Sequence, residues 1–343
     1  MKEVTTIGLD LAKNVFQVHG VDCEGHAVEK RQLKREKMLG YFSELPKCTI
    51  GIEACATAHY WGRELAKLGH EVRLIPPSYV KPYVRRGKND AVDAAAICEA
   101  VTRPHMRFVA VKTEGQQATL MLHKVRDLLV KQRTQAINAL RAHLAEFGFV
   151  FPIGNVGVAR AIEAVQSAAT QILEGARCAL QALVAQIVSF ETQIKTLEKQ
   201  IAAAHKQSTE SQLLATIPGI GVLTASALAA TVGDAQQFKS GRELAAWLGL
   251  TPRQNSSGGK ERLGGITRQG NATLRRLLVM GALGQLRGNK RDKAMGGAWF
   301  KALLERKPPK LAAVALANKM ARVAWAVMAR RQAYQENHKP VLA

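Results

Sequence analysis

The stretch "VTTIGLDLAKNVFQVHGVDCEGHAVEKRQL", residues 4–33, decides how the N-terminal part of the chain folds. Its first seven residues are mostly apolar or β-branched and end at Asp10, the pattern of a buried strand. "NVFQVHGVD" (14–22) alternates apolar and polar positions, as an antiparallel neighbour with one covered face does. After the turn "CEGH", the run "HAVEKRQL" (26–33) completes a meander. A helical stretch follows to Leu45, and then "CTIGIEA" (48–54) reads as a second buried strand, ending near Glu53. "HYWGRELAKLG" (59–69) is a helix closed by Gly69, and "EVRLIP" (71–76) is another strand. The alanine-rich "KNDAVDAAAICEA" (88–100) begins one more helix.

Three strands, helix, strand, helix, strand, helix is the order of the ribonuclease H-like α/β fold. In such a sheet the first and fourth strands are neighbours, so Asp10 and Glu53 would emerge at the same edge. The helix that starts at residue 90 would pack there with Asp90 and Asp93, three positions apart and just after Arg85, Arg86 and Lys88. Acids at i and i+3 share a helix face and repel each other. Capping by Asn89 or Asp90 is the plain reading of that pair, since early acids suit the helix dipole. Four converging carboxylates need cations, however, and no His or Cys cluster accompanies them. Oxygen ligands of this kind suit Mg²⁺ or Mn²⁺, and two such ions can clamp a phosphodiester during displacement.

The 343 residues suffice for two or three domains, and 47% hydrophobic content with 22% charged residues describes a folded chain. Forty-nine Lys and Arg against 27 Asp and Glu leave a net charge of +22, an excess that expects a polyanion. The five cysteines are odd in number and contain no C-x-x-C pair, which argues against a zinc ribbon or a disulfide scaffold and fits a reducing cytoplasm. "MKEVTTIGLD" has no apolar core of a signal peptide. The uncharged stretch from Leu214 to Gly233 has the length of a membrane span, but Pro218, three glycines and several threonines make it a water-soluble segment. No membrane role is expected.

Long helices are expected over 114–206. "QQATLMLHKVRDLLVKQRTQAINALRAHLAEFG" can run to Gly148, and "GFVFPIGNVG" then reverses the chain. Leu173, Ala176, Leu180, Leu183, Ile187, Phe190, Ile194, Leu197 and Ile201 step by threes and fours, a heptad seam suited to an antiparallel hairpin or an oligomerisation arm. Residues 207–343 read as a mostly helical basic domain. It opens with "LLATIPGIGVLTASALAATVGD", the helix–hairpin–helix pattern, in which Gly219 and Gly221 would let backbone N–H groups approach a DNA phosphate. An ordinary turn between two helices is the alternative.

In "GLTPRQNSSGGKERLGGITRQGNATLRRLL" (249–278), glycines interleave with Arg253, Lys260, Arg262 and Arg268, and Asn271 looks like the cap of a helix bearing Arg275 and Arg276. Such a loop can grip a phosphate backbone. No histidine base stands close to Ser256 and Ser257, so residue types alone read these serines as phosphate contacts.

Taken together, "GLDLAK", "GIEAC", "KNDAVDA", "IPGIG" and "GLTPRQNSSGGKERLGGITRQGN" resemble one family over nearly the whole chain. It is the DEDD-type transposases of bacterial insertion-sequence family one-ten, relatives of the Piv and MooV invertases, and "SSGGKERLGG" is most similar to the one-thousand-one-hundred-eleven subgroup. The resemblance implies a RuvC-like DEDD domain (1–113) with Asp10, Glu53, Asp90 and Asp93 as its metal-holding acids. It further implies a coiled-coil segment (114–206) and a C-terminal transposase domain (207–343) whose serine attacks DNA to form a phosphoserine link. That serine maps onto Ser257, with Ser256 adjacent. Double-stranded DNA at the element junction and target, a structured non-coding bridge RNA, and a dimer of dimers in which the two sites meet across protomers are the implied partners, in a cytoplasmic, nucleoid-associated protein. The other readings are a RuvC-like structure-specific endonuclease, an architectural nucleic-acid-binding protein, and an actin-like ATPase, for which no second or third phosphate loop is visible.

Overall fold

The structure, a computed structural model, describes residues 3–84, 89–167, 172–286 and 295–336. Arg85, Arg86 and Lys88 lie outside the described residues. The chain divides into two compact units, Met1–Gly115 and Gln116–Ala343.

The first unit is mixed α/β. In chain order it contains β1 (Thr6–Asp10), β2 (Val15–Val21), β3 (Ala27–Lys34), α1 (Met38–Glu44), β4 (Thr49–Glu53), α2 (Ala58–Lys67), β5 (Glu71–Ile75), the one-turn α3 (Pro77–Val80) and α4 (Asp90–Val101). The sheet order is β3-β2-β1-β4-β5. β1 pairs antiparallel with β2 and parallel with β4, β2 pairs antiparallel with β3, and β4 pairs parallel with β5. The central strands are apolar because both of their faces are covered, whereas β2 alternates and the edge strand β3 is largely exposed.

The two faces of the sheet are built from different residues. Ile7, Leu9, Ile50 and Ile52 are fully buried with Phe16, Met38, Phe42, Trp61 and Leu65, which places α1 and α2 on one side. On the other face, Gly8 of β1 lies opposite Gly51 of β4 in register, and α4 crosses them. A Cβ at Gly8 would collide with the Ala94 carbonyl and the Cys98 nitrogen, and one at Gly51 would lie 2.8 Å from the Val101 Cβ. α4 can come this close because its buried residues are mostly small: Ala94, Ala96, Cys98 and Ala100 beside Ile97 and Val101. At Gly8 backbone therefore rests on backbone, and at Gly51 the Val101 and Ile97 side chains press against the bare strand.

The second unit holds most of α5 (Glu114–Ala145), followed by α6 (Asn155–Gln166), α7 (Glu174–Gln207), α8 (Thr209–Ala215), α9 (Val222–Val232) and α10 (Gly241–Trp247). β6 (Pro252–Gln254), β7 (Leu263–Ile266), α11 (Ala272–Gln285), α12 (Gly297–Arg306) and α13 (Pro309–Arg330) complete it. The turn after α5 does not lead straight into the returning helix. α6 intervenes because Ala161 and Val165 bury an apolar stripe against Leu140, Leu144, Leu180 and Val184. Leu173 precedes α7 and is 76% exposed, but the rest of its heptad row, Leu180, Ile187, Ile194 and Ile201, is buried within the chain. Arg126 of α5 donates from Nε and Nη2 to Glu198 of α7 at 2.8 and 2.6 Å, farther along the same pair. The stretch from Leu214 to Gly233 forms the end of α8, a turn and α9, all within the helical core. α13 is long and apolar enough to cross a membrane by length and composition, yet its stripe Ala313, Leu316, Ala317, Met320, Ala321 and Ala324 is fully buried in that core.

Gly8→Ala is expected to cost about 3 kcal/mol, the upper end for overpacking against a surface that cannot yield. Gly40→Ala, in α1 with nothing within 4 Å of its added Cβ, is expected to be neutral or slightly stabilising. Urea denaturation of the two variants beside the parent chain checks both.

Candidate functional site

Asp10 and Glu53 stand at the C-terminal ends of two adjacent parallel strands, two positions beyond the glycines on which α4 rests. Side chains two apart on a strand share a face, so each acid lies on the α4 side of the sheet. The docking that the glycines permit thus brings the start of α4 over both acids. At that start Asn89 is the cap: its Oδ1 accepts from the Ala91 N–H at 3.0 Å, and its carbonyl accepts from the Val92 and Asp93 N–H groups. Capping therefore does not occupy Asp90 or Asp93. Carboxylate oxygens of Asp10, Asp90 and Asp93 all lie within 4.8 Å of one another.

The four acids feel each other. Burial, then repulsion from Asp93, Asp90 and Glu53, pushes the Asp10 carboxyl up to about 6, against a smaller opposing bond from the Leu11 backbone. Glu53 is raised as well, first by burial and then by Asp93. The Cys55 thiol, two residues beyond Glu53, is pushed up by burial and by Glu53 and Asp10. An oxygen-only donor set in which Asp10 and Glu53 resist ionising fits a hard divalent cation, which would compete with a proton on Asp10 below about pH 6. Asp22, Glu24 and His26 form a second cluster after β2. There Asp22 accepts from the Glu24 and His26 N–H groups at 3.0 and 2.9 Å, as turn residues do.

In the second unit the serine- and glycine-rich stretch is a β-hairpin, where the sequence reading expected a loop. β6 and β7 pair antiparallel, and a further bridge joins Ser257 to Lys260 around Gly258 and Gly259. Both glycines have positive φ, 56° and 74°, as a two-residue type I′ turn requires. The Ser256 hydroxyl accepts from the Arg262 N–H at 3.1 Å, which ties it into the hairpin. Ser257 opens the turn and is exposed, as are Arg253, Lys260, Arg262 and Arg268. The hairpin base is locked: Arg268 donates its N–H to Gly249, and a Cβ at Gly270 would collide with the Trp247 carbonyl.

Arg275 is half-buried and Arg276 exposed, and both are tied to the protein. Arg275 donates to the Leu248 and Gln269 carbonyls at 3.0 and 2.8 Å, and Arg276 makes two 2.7 Å bonds to Asp127 of α5. Asp127 also accepts from the Thr273 hydroxyl at 3.2 Å. Sequence reading missed Asp127, because nothing local marks a partner so distant in the chain. Asn271 caps α11 as expected, accepting from the Leu274 N–H. Gly219 has φ 85° and is pressed against α11, where an added Cβ would meet the Gln285 side chain. Gly221 caps α9 and is open to solvent.

Comparison with known proteins gives two family matches. Residues 7–149 match a transposase model of the DEDD type of the IS110 family, and residues 211–295 match the model described as Transposase IS116/IS110/IS902 family. A probable family 20 transposase of Pseudomonas aeruginosa is 47% identical over 97% of this chain and 99% of its own length. The transposase for insertion sequence element IS1111A of Coxiella burnetii is 39% identical over 98% of this chain and 92% of its own. A pilin gene-inverting protein of Moraxella bovis is 25% identical over 74% of each. The chain therefore belongs to the IS110 family of DEDD transposases.

Proposed function

We propose that the chain cuts and rejoins double-stranded DNA at the junction of its insertion sequence and at a target, through a covalent link to Ser257. The observation that carries this reading is the convergence of Asp10, Asp90 and Asp93, with Glu53 beside them, in a chain of net charge +22. Carboxylates so placed have a use where a divalent cation meets a phosphodiester. The strand order, with acids ending the two central parallel strands, supports a RuvC-like, ribonuclease H-like domain over 1–113. The α5–α7 pair with its buried heptad row supports a coiled-coil segment over 114–206, and α8, the Pro-Gly turn and α9 support a helix–hairpin–helix opening the domain 207–343. Inversion of a pilin gene, named for two relatives, also calls for breaking and rejoining DNA without discarding the phosphodiester.

Ser257 is the better nucleophile of the two serines. The oxygen of Ser256 is held by the Arg262 N–H, whereas Ser257 precedes two glycines that leave space for a phosphate. In the cleavage step Ser257 Oγ bonds to phosphorus and loses its proton. The bond to the departing DNA oxygen breaks, and that oxygen leaves as a hydroxyl end carrying a proton. Rejoining reverses the step with a hydroxyl from another strand. Mg²⁺ or Mn²⁺ held by Asp10, Glu53, Asp90 and Asp93 would supply charge neutralisation at the phosphate oxygens. Arg253, Lys260, Arg262 and Arg268 grip the flanking backbone, and Gly221 offers the N-terminus of α9. The charge excess also suits a structured guide RNA. A dimer of dimers in the cytoplasm brings acids and serine from different protomers onto one phosphate.

Two predictions test this reading. With Mg²⁺, guide RNA and labelled junction DNA, a denaturation-resistant protein–DNA adduct is expected from the parent chain and from Ser256→Ala, and none from Ser257→Ala; nicking without any adduct would instead make the protein a RuvC-like endonuclease. Asp90→Ala is expected to reduce recombination at least a hundredfold while junction DNA affinity, read by gel shift, stays within about threefold. Complete loss of DNA binding by a folded Asp90→Ala variant would remove Asp90 from the cation site.

A further inference from the structure

We infer that a groove along α13 holds single-stranded DNA, with an unpaired base on Trp299 and the phosphates on the cations of its wall. The inference rests on the DNA-processing reading above and adds where, and in what form, one strand lies. The groove measures about 1460 Å³ and runs between α13, the start of α12, the start of α10 and β7. That exceeds the roughly 300–1,000 Å³ of small-molecule sites and calls for an extended ligand.

Its charge is one-sided. Arg242, Lys307, Lys319, Arg322 and Arg330 line it against one acid, Glu336. Among the described residues no carboxylate pairs with any of the five cations. Lys319, Arg322 and Arg330 share one face of α13 and span about 16 Å along its axis, at 1.5 Å per residue. A row of unpaired cations beside an apolar floor complements a strand that carries phosphates on one side and bases on the other.

Trp299 supplies the stacking surface. It rests against the buried Phe300, with ring centroids 6.1 Å apart and 29° between planes, yet remains 42% exposed. The Lys319 ammonium lies over the ring, 4.6 Å from its centroid, so a base stacking there takes the place of a cation that moves onto its phosphate. On the facing wall, Gly264 and Gly265 occupy two of the four residues of β7. Neither has positive φ, a Cβ at Gly265 would meet nothing within 4 Å, and the nearest atom to one at Gly264 is 3.8 Å away. The fold requires neither glycine, and both weaken the strand. They leave that wall bare where another backbone can come close. β7 pairs with β6 in the hairpin that carries Ser257, so one wall of the groove and the serine belong to the same hairpin. A wall shared with the hairpin of the DNA-linked serine favours DNA over RNA as the occupant.

The test measures affinities of the full-length chain for a labelled oligodeoxythymidine of about 12 nucleotides, the matching oligouridine, and junction duplex, by fluorescence anisotropy. Trp299→Ala and Gly265→Val are each expected to weaken oligodeoxythymidine binding about tenfold while duplex affinity changes by less than about twofold. Gly265→Val has no internal neighbour to disturb and carries the test alone if Trp299→Ala lowers the melting temperature. Unchanged oligodeoxythymidine affinity in a folded Gly265→Val variant would overturn the inference, and so would oligouridine binding tighter than oligodeoxythymidine with the same sensitivity to Gly265→Val. Failure of the parent chain to bind duplex and single strand alike would remove the DNA-processing reading itself, which separates the two failures.

Discussion

The candidate site depends on one steric fact, that α4 lies directly on the backbone of β1 and β4 at Gly8 and Gly51. A side chain at either position would push the helix outward and carry Asp90 and Asp93 away from Asp10. The same spacing of two residues separates Gly8 from Asp10 and Gly51 from Glu53. In each strand, then, the residue that admits the helix and the residue that meets its acids share one face. "GLD" and "GIE" act as paired units, and the alanines of α4 complete the fit from the other side.

That packing confines negative charge in a chain that is otherwise strongly basic. Asn89 takes over the capping role, so the acids of α4 are left to repel Asp10 and Glu53. Burial is the largest cause of the raised Asp10 pKa and mutual repulsion the next, which means that the fold holds these groups where water alone does not stabilise them. A cation removes the conflict, and a phosphate near that cation is favoured in turn. The second unit handles charge differently: among the described residues no carboxylate pairs with the cations of its hairpin and groove, while Arg275 and Arg276 bond to internal carbonyls and Asp127.

Much of the first unit was legible because strands with both faces buried announce themselves as apolar runs, and Asp10 and Glu53 punctuate two of them. Asn89 and Asp90 were equal candidates for the cap, and only the geometry of Asn89 separates them. The hairpin of β6 and β7 was missed because its strands have three and four residues, rich in glycine and charge. The two-residue Gly258–Gly259 turn was the signal that could have found it. α6 was hidden because its first residues, Asn155 to Gly157, continue the glycine-rich stretch "GFVFPIGNVG" and read as more turn. Gly219 shows a limit of another kind: its need for space was readable, but the neighbour that fills it, α11, comes from far along the chain. Arg276 is alike, since its partner Asp127 lies 149 residues away.

Anomalous diffraction from crystals grown with Mn²⁺ tests the central claim most directly, that the docking of α4 builds a cation site. The account predicts a manganese peak coordinated by Asp10 together with Asp90 or Asp93, absent in Asp10→Asn crystals grown alike. A peak confined to Asp22, Glu24 and His26, with none at Asp10, would contradict it.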